Sequence, residues 1–228
     1  KKILSPQVMR LLLRISRLAQ SKKGVRVYLV GGIVRDLFRG VRCDDIDIVV
    51  EPAAIPFARA LAMAIGGALV TYPRFGTATV VLADRRIRID CATARTEIYP
   101  MPGALPRVHG GHIGEDLFRR DFTINAMAVG LNADDQGQLI DPFSGREDLV
   151  RGIVRVLHHR SFSDDPTRAV RAIRFVHRFK FRLERRTAAY LRAVVRSGMF
   201  AAISGERVRH ELVRLCGETD PTGALARL

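Results

Sequence analysis

Val8, Leu11, Leu12, Ile15 and Leu18 recur at the three-and-four spacing of one helical face, and Ser5-Pro6 ahead of them supplies a cap and a first-turn proline. From Arg26 to Val30 the pattern changes to a short apolar run, read as a buried strand. Gly31-Gly32 breaks it, and Ile33 to Arg39 reads as a short helix ended by Gly40. A second strand is expected over Ile46 to Val50, then a helix over Pro56 to Ile65 closed by Gly66-Gly67. Further strands are expected at Leu69 to Tyr72, Thr77 to Ala83 and Arg86 to Thr93. Thr96 to Glu115 is rich in Pro, Gly and His and has no period, so it reads as a loop; one of that length usually serves function or is disordered. Helical patterning resumes near Thr123, a turn follows at Asp141-Pro142-Phe143-Ser144-Gly145, and a short segment spans Val154 to Leu157. Helices are expected near 166–179, 185–198 and 204–216. The chain is therefore α+β: a head over residues 1–140 with a small mixed sheet, and an all-helical part over residues 141–228.

Composition narrows the function. The 228 residues are 47% hydrophobic and 27% charged, enough to bury a core and too apolar for disorder. No apolar run reaches the ~18 residues of a membrane span, so no membrane association is expected. Cys43, Cys91 and Cys216 lie far apart and suggest neither a disulfide framework nor zinc spacing. That usage fits a reducing cytoplasm. The chain opens on Lys1, which reads as a fragment or a processed chain. Of 38 basic residues 33 are arginine, and the net charge is +15. Arginine forks pair with phosphate in bidentate geometry, and a GC-rich genome is the plain alternative for the arginine bias; the genome does not account for the charge, which favours a polyanionic partner.

The chemistry gathers in a few places. Asp45 and Asp47 alternate at a strand start and so face one side, where two carboxylates repel unless a cation sits between them. Oxygen-only ligands favour Mg²⁺; a solvated turn before the strand is the plain alternative. Gly31-Gly32 opens a helix carrying Arg35, which can present backbone N–H groups and a guanidinium to an anion, or be an ordinary strand-turn-helix. Asp90 adds a third acid in the strand Arg88-Ile89-Asp90. A phosphate cradle beside three carboxylates suits metal-assisted phosphoryl transfer. His109 and His112 lack a third ligand nearby and do not make a zinc site.

Leu29-Val30-Gly31-Gly32-Ile33-Val34-Arg35-Asp36 followed by Asp45-Ile46-Asp47 resembles the signature of template-independent RNA nucleotidyltransferases: the bacterial-type (class II) tRNA CCA-adding enzymes, with bacterial poly(A) polymerases as close relatives. Five further segments agree in the expected order: Arg88 to Arg95, Arg119 to Ala126, Asp141 to Leu149, Asp164 to Arg168, and Gly205-Glu206-Arg207 with Glu211-Leu212. The resemblance implies a polymerase-β-like head and a helical neck. It implies transfer of AMP and CMP from ATP and CTP to a tRNA 3′ end, with release of pyrophosphate. Asp45 and Asp47 would bind two Mg²⁺ ions, and Asp90 would help bind the catalytic ion and orient the attacking hydroxyl. Gly31, Gly32, Arg35, Arg119, Arg120, Asp121 and Asn125 would contact the nucleotide, although Asp121 and Asn125 also suit local capping of a helix after Phe122.

The resemblance places Asp165 and Arg168 on the Watson–Crick edge of the base, with Asp164 beside them where the family commonly has Glu. A carboxylate accepts from an exocyclic amine, which adenine and cytosine carry and guanine and uracil replace with the opposite pattern. Asp165 before Pro166 also suits a helix cap. Arg171, Arg174 and Arg178 continue the same helix, which reads as a solvated face or, through Arg171 and Arg174, as a contact to the nucleotide. The family's flexible loop falls in the 96–115 region, and its full length argues against CC-only addition. The rivals are an A-adding enzyme, a poly(A) polymerase, a catalytically silent RNA-binding module and a small-molecule nucleotidyltransferase. Family members continue into body and tail regions, so the chain is expected to stop short of them.

Overall fold

The computed structural model describes residues 3–82 and 87–226, which divide into two compact units. The first comprises residues 3–96, 108–120 and 125–146 and the second residues 97–107, 121–124 and 147–226, so Asp141–Arg146 group with the first unit, unlike in the division expected at residue 140. Ala83 and Arg86, the expected inner ends of two strands, lie outside the described residues.

The first unit starts with α1 (Pro6–Gln20), whose N-cap Ser5 Oγ accepts from Val8 N at 3.2 Å. Its buried stripe is Val8, Leu11, Leu12, Ile15 and Ala19. β1 (Arg26–Val30) leads through Gly31 into α2 (Gly32–Phe38); then come β2 (Ile46–Glu51), α3 (Ala54–Ile65), β3 (Ala68–Tyr72), β4 (Thr77–Val81) and β5 (Arg88–Thr93). The interval expected to be a loop contains two short strands, β6 (Arg95–Ile98) and β7 (Arg107–Gly110), and α4 (Ile113–Phe118). These pieces span four to six residues each, too short for a period to show.

Helical structure does not resume at Thr123 as expected. Thr123–Asn125 is one 3₁₀ turn, and the chain then forms β8 (Ala128–Gly130) and β9 (Leu139–Ile140). Phe122, Ile124, Ala126, Met127 and Ala128 are all fully buried, and a run buried on every side carries no period. The mixed sheet runs β3-β4-β5-β2-β1-β8-β9. β2 and β5 are parallel, whereas β1–β2, β4–β5 and β1–β8 are antiparallel. Its core includes Val27, Leu29, Ile46, Ile48, Val50, Val80 and Ile89, with Phe57 and Leu61 of α3.

The chain leaves the first unit within α5 (Gly145–Arg151), whose start is held by Asp141: Gly145 N and Arg146 N donate to its two oxygens at 2.7 and 2.9 Å. The second unit continues with β10 (Ile153–Val154), α6 (Ser161–Asp164), α7 (Thr167–Phe179), β11 (Arg182–Leu183), α8 (Arg185–Arg196), α9 (Gly205–Cys216) and α10 (Thr222–Leu225). Phe122 meets Phe175 edge-on with centroids 5.6 Å apart, and Phe175 stacks on Phe179. Val170, Leu215 and Ala224 form a further cluster. Cys91 is buried packing, its thiol pushed up to about 12 by burial. Among the described residues no helix is long and apolar enough to cross a membrane.

Candidate active site

In the first unit the parallel pairing of β2 and β5 sets Asp47 directly opposite Asp90. Both side chains stand on one face, because strand neighbours in register point the same way. Thr79 Oγ1 donates to Asp90 Oδ1 at 2.6 Å from the next strand, and Arg88 pairs with Asp90 Oδ2 at 2.9 Å. Asp45 is exposed just before β2. Burial, then the charge of Asp90, pushes the Asp47 carboxyl up; Arg120 pulls it down and Asp45 pushes it up again. Two acids, Asp90 and Asp45, push on the half-buried Asp47 carboxylate against the pull of Arg120 and Arg88, and the donors of all three acids are oxygen. That set fits a hard divalent cation. Among the described residues no group of three or more His, Cys, Asp or Glu is arranged to hold a metal ion.

The glycine turn lies at the end of β1. Gly31 has φ +72°, and a Cβ on it would stand 2.9 Å from Arg120 Nη1. Both the backbone conformation and the approaching guanidinium require glycine there. Arg35 is buried beneath the turn: its Nε and Nη2 donate to Asp36 at 3.0 and 2.8 Å, and its Nη1 donates to Asn125 Oδ1 at 2.6 Å. Gly32 lies against this guanidinium, 3.6 Å from Nη2 to a Cβ built there. Arg35 and Asn125 therefore brace the turn from inside.

Arg119 and Arg120 converge on an acid that the sequence reading missed. Asp116, on α4, is fully buried; Arg119 Nε and Nη2 donate to its Oδ1 at 2.9 and 2.7 Å, and Arg120 Nε and Nη2 to its Oδ2 at 3.2 and 2.8 Å. Burial alone would raise this carboxyl, but Arg120 and Arg119 outweigh it and hold it below the usual carboxylate range. The signal was present as an acid three and four residues before the two arginines.

In the second unit Asp165 is a helix cap: its Oδ1 accepts from Thr167 N at 3.0 Å and from Thr167 Oγ1 at 2.6 Å. The same oxygen pairs with Arg207 Nη2 at 2.9 Å, while Arg207 Nη1 donates to the Gly103 carbonyl at 2.6 Å. Arg168 is 4% exposed, and its Nη1 donates to Ser161 Oγ at 2.9 Å and its Nη2 to the Tyr99 hydroxyl at 3.5 Å. Tyr99 donates in turn to Glu97 at 2.9 Å. Asp164 lies 3.4 Å from Arg160.

Asp121 does not cap a helix. Its Oδ1 accepts from Phe122 N at 2.8 Å, and its Oδ2 pairs with Arg171 at 2.7 Å. Arg174 is 8% exposed, pairs with Glu218 at 3.2 Å and lies over the Phe175 ring. Its guanidinium is bonded within the unit. Asp148, which the sequence does not single out, is buried, accepts from Thr123 Oγ1 at 2.7 Å and holds the Arg155 fork at 2.8 and 3.0 Å.

A mixed sheet of this order, with paired carboxylates on adjacent strands beside a glycine turn, defines a polymerase-β-like nucleotidyltransferase head. Residues 27–155 match the family described as poly A polymerase head domain, and the chain belongs to this family of tRNA nucleotidyltransferases and poly(A) polymerases. The A-adding tRNA nucleotidyltransferase of Halalkalibacterium halodurans is 45% identical over 96% of this chain and 52% of its own length. A CC-adding tRNA nucleotidyltransferase of Deinococcus radiodurans is 40% identical over 88% of this chain and 52% of its own. A solved CCA-adding enzyme in an apo form superposes with a TM-score of 0.93 at 43% identity, over 99% of this chain and 53% of that one. The chain thus spans about half the length of these relatives.

Proposed function

We propose that the chain carries the catalytic and nucleotide-selecting parts of a template-independent nucleotidyltransferase that adds AMP, and CMP, to the 3′ end of tRNA and releases pyrophosphate. The observation that carries this reading is the register of Asp47 against Asp90 on one face of the sheet. Asp45, Asp47 and Asp90 would hold Mg²⁺, which when bound neutralises phosphate charge and lowers the pKa of the attacking hydroxyl. Gly31 and Gly32 let the backbone approach the triphosphate, and Arg120, with Arg119, supplies positive charge to it. Arg35 and Asn125 keep the turn in shape from beneath. Asp165 and Arg168 read the base, the acid accepting from the exocyclic amine and the guanidinium donating to ring acceptors. Ser161 and Tyr99 support this by holding the Arg168 guanidinium in place. Asp121 fixes the direction of Arg171.

A second reading, addition of the terminal A alone, is favoured by the 45% identity to a relative named A-adding. One experiment separates them: transcripts ending before CCA, after C and after CC, each given ATP, CTP or both with Mg²⁺. Growth of all three to a full CCA end supports complete addition. Extension of only the CC-ended transcript, by one A, supports the second reading. A long A tail would assign a poly(A) polymerase, and RNA binding without incorporation would refute catalysis.

A further inference from the structure

Asp116 has no solvent contact, and a carboxylate in that position must be compensated by bonded charge. Two arginines share it, and their side chains are 18% and 17% exposed. The bonds are also directional. Arg120 is held through Nε and Nη2, which leaves Nη1 a single heading. That heading is the glycine turn, where Nη1 lies 2.9 Å from the position a Gly31 Cβ would take. Among the described residues Nη1 has no protein acceptor, and the charge of Arg120 reaches Asp47. We propose that Asp116 is a positioning residue for nucleotide binding: it turns the Arg120 guanidinium so that Nη1 faces the β- and γ-phosphate oxygens of the nucleotide over Gly31. This rests on the reading of Arg120 as a triphosphate donor. Lysine at 120 could not serve, because one ammonium cannot hold a fork on Asp116 and reach the turn as well.

The test is calorimetric titration of the chain with ATP and with AMP in Mg²⁺. D116N keeps the shape of the side chain and removes its charge. It is expected to weaken ATP about tenfold and AMP by less than about twofold, because only the triphosphate carries the oxygens in question. In an R120Q background D116N should add less than about twofold to the ATP dissociation constant, as for two groups acting through one contact. R120K should weaken ATP as D116N does, and it decides the matter alone if D116N does not fold. Equal weakening of ATP and AMP, a full additive effect on R120Q, or ATP affinity in R120K equal to the parent would each overturn the proposal. R120Q without effect on ATP would instead overturn the reading of Arg120 itself.

Discussion

The proposed function gives Asp165 two duties on one side chain, helix cap and base reader, and Asp165→Asn separates them. An asparagine oxygen can stand where Oδ1 stands, so the bonds from Thr167 N and Thr167 Oγ1 survive. What is lost to stability is the ion pair with Arg207. Those side chains are 17% and 25% exposed, so solvent screens the pair and its loss costs about 0.5–1 kcal/mol. For a chain of this size that lowers Tm by about 1–4 °C. The effect on base choice is larger. A carboxylate only accepts, so it penalises the exocyclic oxygen of guanine or uracil; an amide can turn its NH₂ toward that oxygen. Removing the penalty is worth about 1–3 kcal/mol, or roughly 5- to 150-fold in the ratio of kcat/KM for ATP over GTP and CTP over UTP. The assay is single-nucleotide incorporation into a tRNA transcript with each of the four triphosphates, beside a thermal melt. Unchanged ratios in a variant melting within that window would refute base reading by Asp165 and leave it a cap.

Gly31→Ala places a side chain at φ +72° and drives its Cβ into Arg120; it should cost more than about 1 kcal/mol in denaturant unfolding and reduce ATP binding in titration. Asp148→Ala removes the acceptor of Thr123 Oγ1 and of the Arg155 fork. Because Arg155 is 40% exposed, the expected loss is about 1–3 kcal/mol, read from the urea midpoint at unchanged slope. Asp47 is raised in the folded chain, so its ionised form opposes folding: its contribution is full below the unfolded carboxylate pKa and lost as pH rises through the raised one. In chelator at pH 7, Asp47→Asn should therefore raise Tm, with the gain vanishing below pH 4, and Mg²⁺ should raise Tm in the parent more than in the variant.

The strands and helices with a clean period were legible: α1, β1, β2, α7 and α9 stand within a residue or two of their expected limits. β8 was not, since the run from Phe122 to Ala128 is buried on all sides and reads equally as helix or strand. The placement of the carboxylates on β2 and β5 and the glycine turn after β1 were legible from residue type and spacing. Their bracing was not. Arg35 looks like an anion donor in sequence, and only the fold turns its guanidinium onto Asp36 and Asn125. Arg174 shares a helical stripe with Arg171, yet a different turn of the helix meets Glu218. Tyr99 and Asp148 depend on partners at 168 and 123, separations that no local pattern encodes.

Between Thr96 and Glu147 the chain passes from one unit to the other five times, and the stretch Arg119–Asn125 contains two of those crossings within seven residues. Chimaeras between relatives inherit a rule from this weave. A single crossover at residue 146 would join Asp148 from one parent to Thr123 from the other, and that 2.7 Å bond would have to form between side chains that did not diverge together. Recombinants that exchange base choice while keeping the fold should therefore carry 97–107 and 121–124 together with everything after 146, as three inserts and not one.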